Sequence, residues 1–176
     1  MKDEKQKIVI ALTSDPYHNI YGYALVFIRL FDYVQKNKPD LSVVLFSNDG
    51  TSSKVVNNAH FKQIRLNPSS KLLRKFIELS VGFIRNVWKY DKHSIVIANA
   101  EIPELLAACV LKMKFKRTYC LIQDLCLRDT SPASRMIHSL RMFLIRCIGN
   151  VIFTNRHTMN QFSMKGNKFY IGNPIF

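Results

Sequence analysis

The 176-residue chain is long enough to bury a complete core without metal or disulfide staples. Its composition, 48% hydrophobic and 22% charged with 6 Gly and 6 Pro, is that of a folded globular domain and excludes a disordered or collagen-like chain. The formal net charge of +14, from 26 Lys and Arg against 12 Asp and Glu, favours polyanionic partners: nucleic acid, anionic lipid headgroups or phosphorylated ligands.

Short apolar segments alternate with helical ones along the chain. Strands are predicted at 8–12, 41–46, 61–66, 94–98, 118–122, 151–153 and 169–171. Helices are predicted at 21–36, from 69 or 70 to about 90, at 102–113, at 132–148 and at 155–164. This alternation predicts an α/β fold with a doubly wound, mainly parallel, Rossmann-like sheet, in one domain that covers residues 1–176.

No segment predicts a membrane span or a signal peptide, because the N-terminus MKDEKQK is polar and no apolar run approaches the ~20 residues that cross a bilayer. The four cysteines show no CxxC spacing, so we expect reduced thiols. The five histidines are scattered at no metal-ligand spacing. We therefore expect a cytoplasmic chain with neither a metal nor a cofactor.

In a doubly wound sheet, ligands bind at the carboxyl ends of the strands. The loop after the first strand contains Tyr21 and Gly22, and a single glycine does not form a dinucleotide-binding turn. Backbone N–H groups at the following helix start suit an anionic group, although Gly22 serves packing equally well. Gln123 and Asp124 follow the strand 118–122, where an amide and a carboxylate suit sugar hydroxyls; alternatively, Asp124 caps a turn.

Two further loops carry polar residues at strand ends. Asn99 and Glu101 follow the strand 94–98, and Glu101 is placed either to orient a substrate hydroxyl or to complement the dipole of the next helix. Asn155 and Arg156 follow the strand 151–153. We expect Asn155 to cap the next helix and Arg156 to lie exposed at its start, where it suits a phosphate.

The helices near 71–90 and 132–148 combine apolar and basic side chains. We expect the core-facing stripes to be Leu73, Phe76, Ile77, Val81, Ile84, Val87 and Trp88 in the first helix, and Met136, Ile137, Leu140, Phe143, Leu144 and Ile148 in the second. The opposite faces carry Lys71, Lys75, Arg85 and Lys89, and Arg135, Arg141 and Arg146 with Met142 and Ile145 between them. This mixture predicts peripheral contact with an anionic membrane, and the alternative is a solvated helix face.

The ordered segments IVIALTSDPYHNIYGYALVFIRL, SIVIANAEIPELLAACVLK, RTYCLIQDL, NVIFTNRHTMNQF and KFYIGNPIF resemble the N-terminal half of a GT-B glycosyltransferase of the retaining family 4. Tyr21-Gly22 stands at the family's double glycine, Gln123 at its His, and Asn155-Arg156 at its Ser-Glu. The Asn173-Pro174 turn resembles the crossing between the two halves, so we expect an interdomain linker at 172–176.

The resemblance implies an acceptor-binding domain, inactive alone, that works on a lipid-linked or other anionic acceptor at the inner membrane face. Gln123 and Asp124 would be its catalytic candidates, and Arg156 would meet an acceptor phosphate. A donor-binding domain for the nucleotide-sugar would follow in the same chain or in a partner subunit. The alternatives are a non-catalytic membrane-associated subunit of a split glycosyltransferase and a basic nucleic-acid-binding protein, although no RNP, KH or helix-turn-helix signature is present.

Overall fold

The computed structural model describes residues 7–12, 37, 41–48, 61–64, 66–67, 69–122, 131–163 and 165–171. The described strands are β1 (Lys7–Leu12), β2 (Leu41–Asn48), β3 (Phe61–Ile64), β4 (Ile95–Asn99), β5 (Thr118–Ile122), β6 (Asn150–Phe153) and β7 (Asn167–Tyr170). The described helices are α1 (Leu72–Val87), α2 (Ile102–Leu111), α3 (Pro132–Ile148) and α4 (Arg156–Gln161). The helix predicted at 21–36 and the linker at 172–176 lie outside the described residues.

The strands form one seven-stranded sheet in the order β3-β2-β1-β4-β5-β6-β7, and every pairing between neighbours is parallel. The strand order reverses at β1, which lies between β2 and β4. This arrangement is a doubly wound, Rossmann-like α/β fold, so the predicted fold class is confirmed.

The main hydrophobic core lies between one face of the sheet and α1, α2 and α3. Ile10, Phe46, Val96 and Ile122 point to this side, and each is fully or almost fully buried. The alternate residues, such as Ala11 and Leu45, are buried on the opposite face. Burial on both faces explains why the central strands read as continuous apolar runs rather than as alternating ones.

Local sequence signals set the ends of α3. The Ser131 hydroxyl accepts a hydrogen bond from the Ser134 N–H at 3.2 Å, and Pro132 occupies the first turn. Gly149 ends the helix in the left-handed conformation with φ 77°, which a glycine adopts without steric cost. The helix therefore begins and ends where the sequence predicts.

The start of α1 differs from the helix start predicted at residue 69 or 70. Lys71 is the N-cap residue, and its side chain makes no capping hydrogen bond. The Ser70 hydroxyl instead donates to the Glu78 carboxylate at 3.0 Å, and the Arg74 Nε donates to the same oxygen at 2.9 Å. Glu78 thus attaches the segment before α1 to the second turn of the helix.

Candidate functional site: the carboxyl edge of the sheet and the outer face of the helices

The carboxyl ends of β1 and β4 are adjacent, since Leu12 pairs with Ala98. This is the point where the strand order reverses, and open α/β sheets bind ligands outside such a point. Among the predicted site residues, Asn99, Glu101, Asn155 and Arg156 lie in the described part of the chain. The others, Tyr21, Gly22, Gln123, Asp124 and Asn173, lie outside the described residues, so their predicted roles stay predictions.

Asn99 ends β4 as a buried residue, and its side-chain Oδ1 accepts a hydrogen bond from the Ala100 N–H at 2.9 Å. Glu101 follows at the N-cap position of α2, without a capping side-chain hydrogen bond. Its carboxylate forms an ion pair with the guanidinium of Arg141 in the middle of α3. This ion pair joins the start of α2 to α3, and no local sequence pattern indicates it.

Asn155 takes the capping role that the sequence predicts. Its Oδ1 accepts a hydrogen bond from the His157 N–H at 2.9 Å at the start of α4. Arg156 is exposed in the first position of this helix. The carboxyl edge thus brings Glu101 and Arg141 together, while Asn155 and Arg156 belong to a separate helix start after β6.

A groove with a cavity volume of about 380 Å³ opens where the first half of α1, the start of α2 and the middle of α3 meet. Its lining is mostly apolar, and the charged residues in the described part of the lining are Lys75, Glu101 and Arg141. The groove contains Glu101, which directly follows the carboxyl end of β4. It therefore lies at the sheet edge where ligands are expected. Its walls come mainly from three helices, so no local sequence pattern indicates the groove.

Among the residues that the structure describes, Arg141 has fewer hydrogen-bond acceptors than donors in this groove. One Nη–H donates to Glu101 Oε2. The Nε atom is buried and finds no acceptor among the residues that the structure describes. An unpaired buried donor costs about 1–3 kcal/mol. The planar guanidinium suits a bidentate acid group, and within the described part of the chain Glu101 accepts from only one of its N–H groups.

Most of the side chains predicted to face the core from α1 and α3 are exposed. Leu73 is 72% exposed and Ile77 54%, and Met136 and Phe143 are 71% and 61% exposed. The correction has a physical reason: both helices carry two apolar stripes, and the sheet covers only one of them. The residues that face the sheet are Leu79, Phe83 and Val87 in α1 and Leu144, Ile145 and Ile148 in α3.

The second stripes form a surface that we call the outer face, defined by the exposed apolar side chains Leu73, Ile77, Val81, Trp88, Met136, Leu140 and Phe143. Their spacing of three, four or seven residues puts the members of each helix on one side of it. α2 packs between α1 and α3: Ser80 Oγ of α1 lies 3.0 Å from the Pro103 carbonyl oxygen, and Cys109 Sγ of α2 lies 3.5 Å from the Leu144 carbonyl oxygen.

The seven basic residues predicted to face a membrane divide into two groups. Lys71, Arg85, Lys89, Arg135 and Arg146 are exposed. Lys75 and Arg141 are half-buried and line the groove instead. Ile145, expected on the exposed side, is fully buried, and Met142 packs against the core. Exposed cations therefore accompany the outer face on α1 and α3 and at the two ends of α1.

Several kinds of site are absent from the described part of the chain. The structure there contains no group of three or more His, Cys, Asp or Glu side chains that could hold a metal ion. No described helix is both long and apolar enough to cross a membrane.

The three cysteines in the described part of the chain are free thiols that differ in exposure: Cys120 is buried, Cys109 is half-buried and Cys147 is exposed. Burial and the nearby Cys147 thiol raise the pKa of Cys109 to about 11. The positive charge of Lys112 lowers this pKa, but its effect is smaller. Burial also raises the pKa of Cys120. Both thiols are therefore protonated and unreactive at neutral pH.

Comparison with known proteins shows a similarity of fold. No protein-family model matches the chain, and no curated protein matches its sequence. Among solved structures, the chain is similar to the N-terminal domain of trehalose-6-phosphate phosphatase from Candida albicans, with a TM-score of 0.55 and 14% sequence identity. The match covers 85% of this chain and 40% of that one. At this identity the similarity shows the α/β fold alone.

This comparison contradicts the resemblance to a GT-B glycosyltransferase, because the similar structure is the N-terminal domain of a trehalose-6-phosphate phosphatase. The family assignment and the assignment as a glycosyltransferase enzyme are therefore wrong. The motifs that carried the resemblance are short, and one of them has a local explanation: Asn155 caps α4 through the His157 N–H. A cap of this kind recurs at helix starts in unrelated proteins.

Proposed function

We propose that this chain is a peripheral membrane-binding α/β domain that docks through its outer face on an anionic leaflet, such as the cytoplasmic face of a membrane. Its ligands in this role are lipid-linked or other anionic molecules that reach the carboxyl edge of the sheet. The observation that carries the proposal is the coincidence of exposed apolar and basic side chains on α1 and α3. Four exposed apolar side chains lie along one side of α1 and three along one side of α3, and clustered apolar side chains of this kind mark an interaction site.

Charge favours a lipid surface as the occupant of this face. The net charge of +14 is complementary to an anionic leaflet. Arg85 and Lys89 are exposed near the end of α1, beside Trp88 of the outer face. Each Lys or Arg near an anionic surface contributes about 1 kcal/mol, and apolar side chains that enter the headgroup boundary add burial energy.

Sedimentation with vesicles of mixed phosphatidylcholine and phosphatidylglycerol tests the proposal. We expect the wild-type chain to bind these vesicles and to bind pure phosphatidylcholine vesicles much more weakly. The variant Arg85→Ala/Lys89→Ala should bind about thirtyfold more weakly, since two cations contribute about 2 kcal/mol and each 1.4 kcal/mol is a factor of ten. The control Lys92→Ala/Lys116→Ala removes the same charge from exposed turns before β4 and β5 and should bind within about threefold of wild type.

Other occupants of the outer face give different results. Tight binding to duplex DNA without binding to anionic vesicles, at matched salt, would overturn the membrane proposal in favour of nucleic acid. A stable dimer of the chain that buries the outer face and does not bind vesicles would overturn it in favour of a protein partner. Equal losses in the two double variants would show that net charge alone, rather than this face, drives binding.

A further inference from the structure

The groove beside the outer face is concave and has apolar walls, and contact with a flat membrane surface requires neither feature. Its walls include Leu66, Leu72, Phe76, Ile102, Pro103 and Ile137. Its cavity volume of about 380 Å³ is near the lower end of the range of about 300–1,000 Å³ for small-molecule sites. A concave apolar site of this size suits one alkyl chain, and it is too small to accept a second folded domain.

The charged side chains of the groove favour an acid headgroup. Lys75 and Arg141 both line the cavity, and Glu101 is the one carboxylate that the described residues contribute to its lining. Arg141 contacts Glu101 through one Nη–H, while its Nε–H has no acceptor among the described residues. A phosphate that takes the place of Glu101 can accept from Nε–H and Nη–H together, which is the bidentate geometry that a guanidinium favours.

We propose that the groove binds a single-chain anionic amphiphile, with its alkyl chain between α1 and α3 and its phosphate on Lys75 and Arg141. This inference rests on the proposed membrane-binding function, since the membrane supplies such a molecule. The phosphate replaces Glu101 as the partner of the Arg141 guanidinium. In the free protein, the ion pair with Glu101 holds the arginine at the site. No covalent step is involved.

The ligand chemistry can be tested with a soluble probe, decyl phosphate, below its micelle concentration. Isothermal titration calorimetry should give saturable binding of this probe. Inorganic phosphate alone and neutral decyl maltoside alone should each bind at least about tenfold more weakly, because each lacks one of the two contacts. Equal binding of inorganic phosphate would overturn the proposal, since it would reveal a simple anion site. Equal binding of decyl maltoside would overturn the role of Lys75 and Arg141.

Matched variants locate the binding. Ile137 and Leu140 lie one turn apart on α3 and are both 42% exposed, but only Ile137 lines the groove. Ile137→Trp should fill the groove and weaken decyl phosphate binding at least about tenfold, while Leu140→Trp should change it less than about twofold. Leu72→Trp, at a 68% exposed position that also lines the groove, is a second blocking variant should Ile137→Trp fail to fold.

The headgroup contact has its own pair of variants. Lys75→Ala should weaken decyl phosphate binding about fivefold, whereas Lys89→Ala, in the turn that follows α1 and outside the groove, should leave it unchanged. Glu101→Gln removes the carboxylate that competes for Arg141 and should strengthen binding severalfold. Weaker binding in Glu101→Gln would contradict the exchange between phosphate and Glu101.

Vesicle sedimentation of the same variants separates this inference from the proposed function. Ile137→Trp should still bind anionic vesicles within about threefold of wild type, because the outer face is intact. Vesicle binding without decyl phosphate binding would overturn the groove proposal and leave the membrane proposal standing. Decyl phosphate binding without vesicle binding would overturn the membrane proposal, while loss of both would overturn both.

Discussion

The middle helix of the layer and its two flanking helices differ in how they use apolar residues. In α2, seven of ten residues are buried, including Leu105, Ala108 and Leu111. In α1, four of 16 residues are buried, and in α3 three of 17. A helix that is apolar all round is buried on all sides, whereas α1 and α3 carry more apolar residues than the sheet and α2 can cover. The uncovered apolar residues of α1 and α3 are therefore available for a partner.

The largest expected effect compares a buried leucine of α2 with an exposed one of α1. Leu105 is fully buried, so Leu105→Ala should lower the free energy of unfolding by about 2–5 kcal/mol through lost burial and the cavity that remains. Leu73 is 72% exposed, and Leu73→Ala should change stability by less than about 0.5 kcal/mol. Urea denaturation measures the free energy of unfolding of both variants. A large decrease in Leu73→Ala would contradict this distinction, because it would show that the outer face is part of the core.

A smaller effect is expected within α1, where neighbouring residues face opposite sides. A Cβ atom added at Gly82 would overlap with the branched side chain of Ile64, which is buried in β3. We expect Gly82→Ala to destabilise the fold by about 1–2 kcal/mol, because this overlap outweighs the roughly 1 kcal/mol gained from helix propensity. The control Val81→Ala, on the outer face, should be nearly neutral. In an Ile64→Ala background the cost of Gly82→Ala should disappear, and a cost that persists would contradict this packing.

The smallest expected effect concerns the start of α1, which is attached through Glu78 rather than buried like the start of α2. Burial alone would raise the pKa of Glu78, but hydrogen bonds from Ser70, Asn67 and Arg74 together lower it below 4.5. A lowered pKa stabilises the folded state above the ordinary carboxyl pKa, and this stabilisation is lost as the pH falls through the lowered value. Amide exchange near Asn67, corrected for the intrinsic pH dependence, should therefore rise below pH 4.5, while that of Val96 in β4 should not. Glu78→Gln should abolish the pH dependence.

The parts of the fold that the sequence predicts correctly are those that depend on residues close to one another in the chain. The bounds of α3 follow from Ser131, Pro132 and Gly149, which act within a few residues of the helix ends. The orientation of α1 and α3 was not predictable, because each helix carries two stripes with the same periodicity. The stripe of α1 that faces the sheet is fixed by tertiary contacts such as the close approach of Gly82 to Ile64.

The candidate site was less predictable than the fold. Asn155 was assigned correctly as a cap, because the cap is a local feature. The pairing of Glu101 with Arg141 joins residues 40 positions apart, and no spacing rule relates them. The groove depends on three helices at once, so Leu72 and Ile137 gave no separate signal in the sequence. The family assignment failed for a related reason, since turn and cap motifs recur on many folds.

The most direct test of the outer face as a membrane contact uses the sole tryptophan, Trp88, which is 42% exposed on that face. Its fluorescence can be followed in the unmodified chain on anionic vesicles that contain brominated lipids. We predict a blue shift of the emission and quenching by the brominated acyl chains, because the indole enters the headgroup boundary. Vesicle binding without a shift or quenching would contradict the account, since the chain would then bind the membrane through another surface.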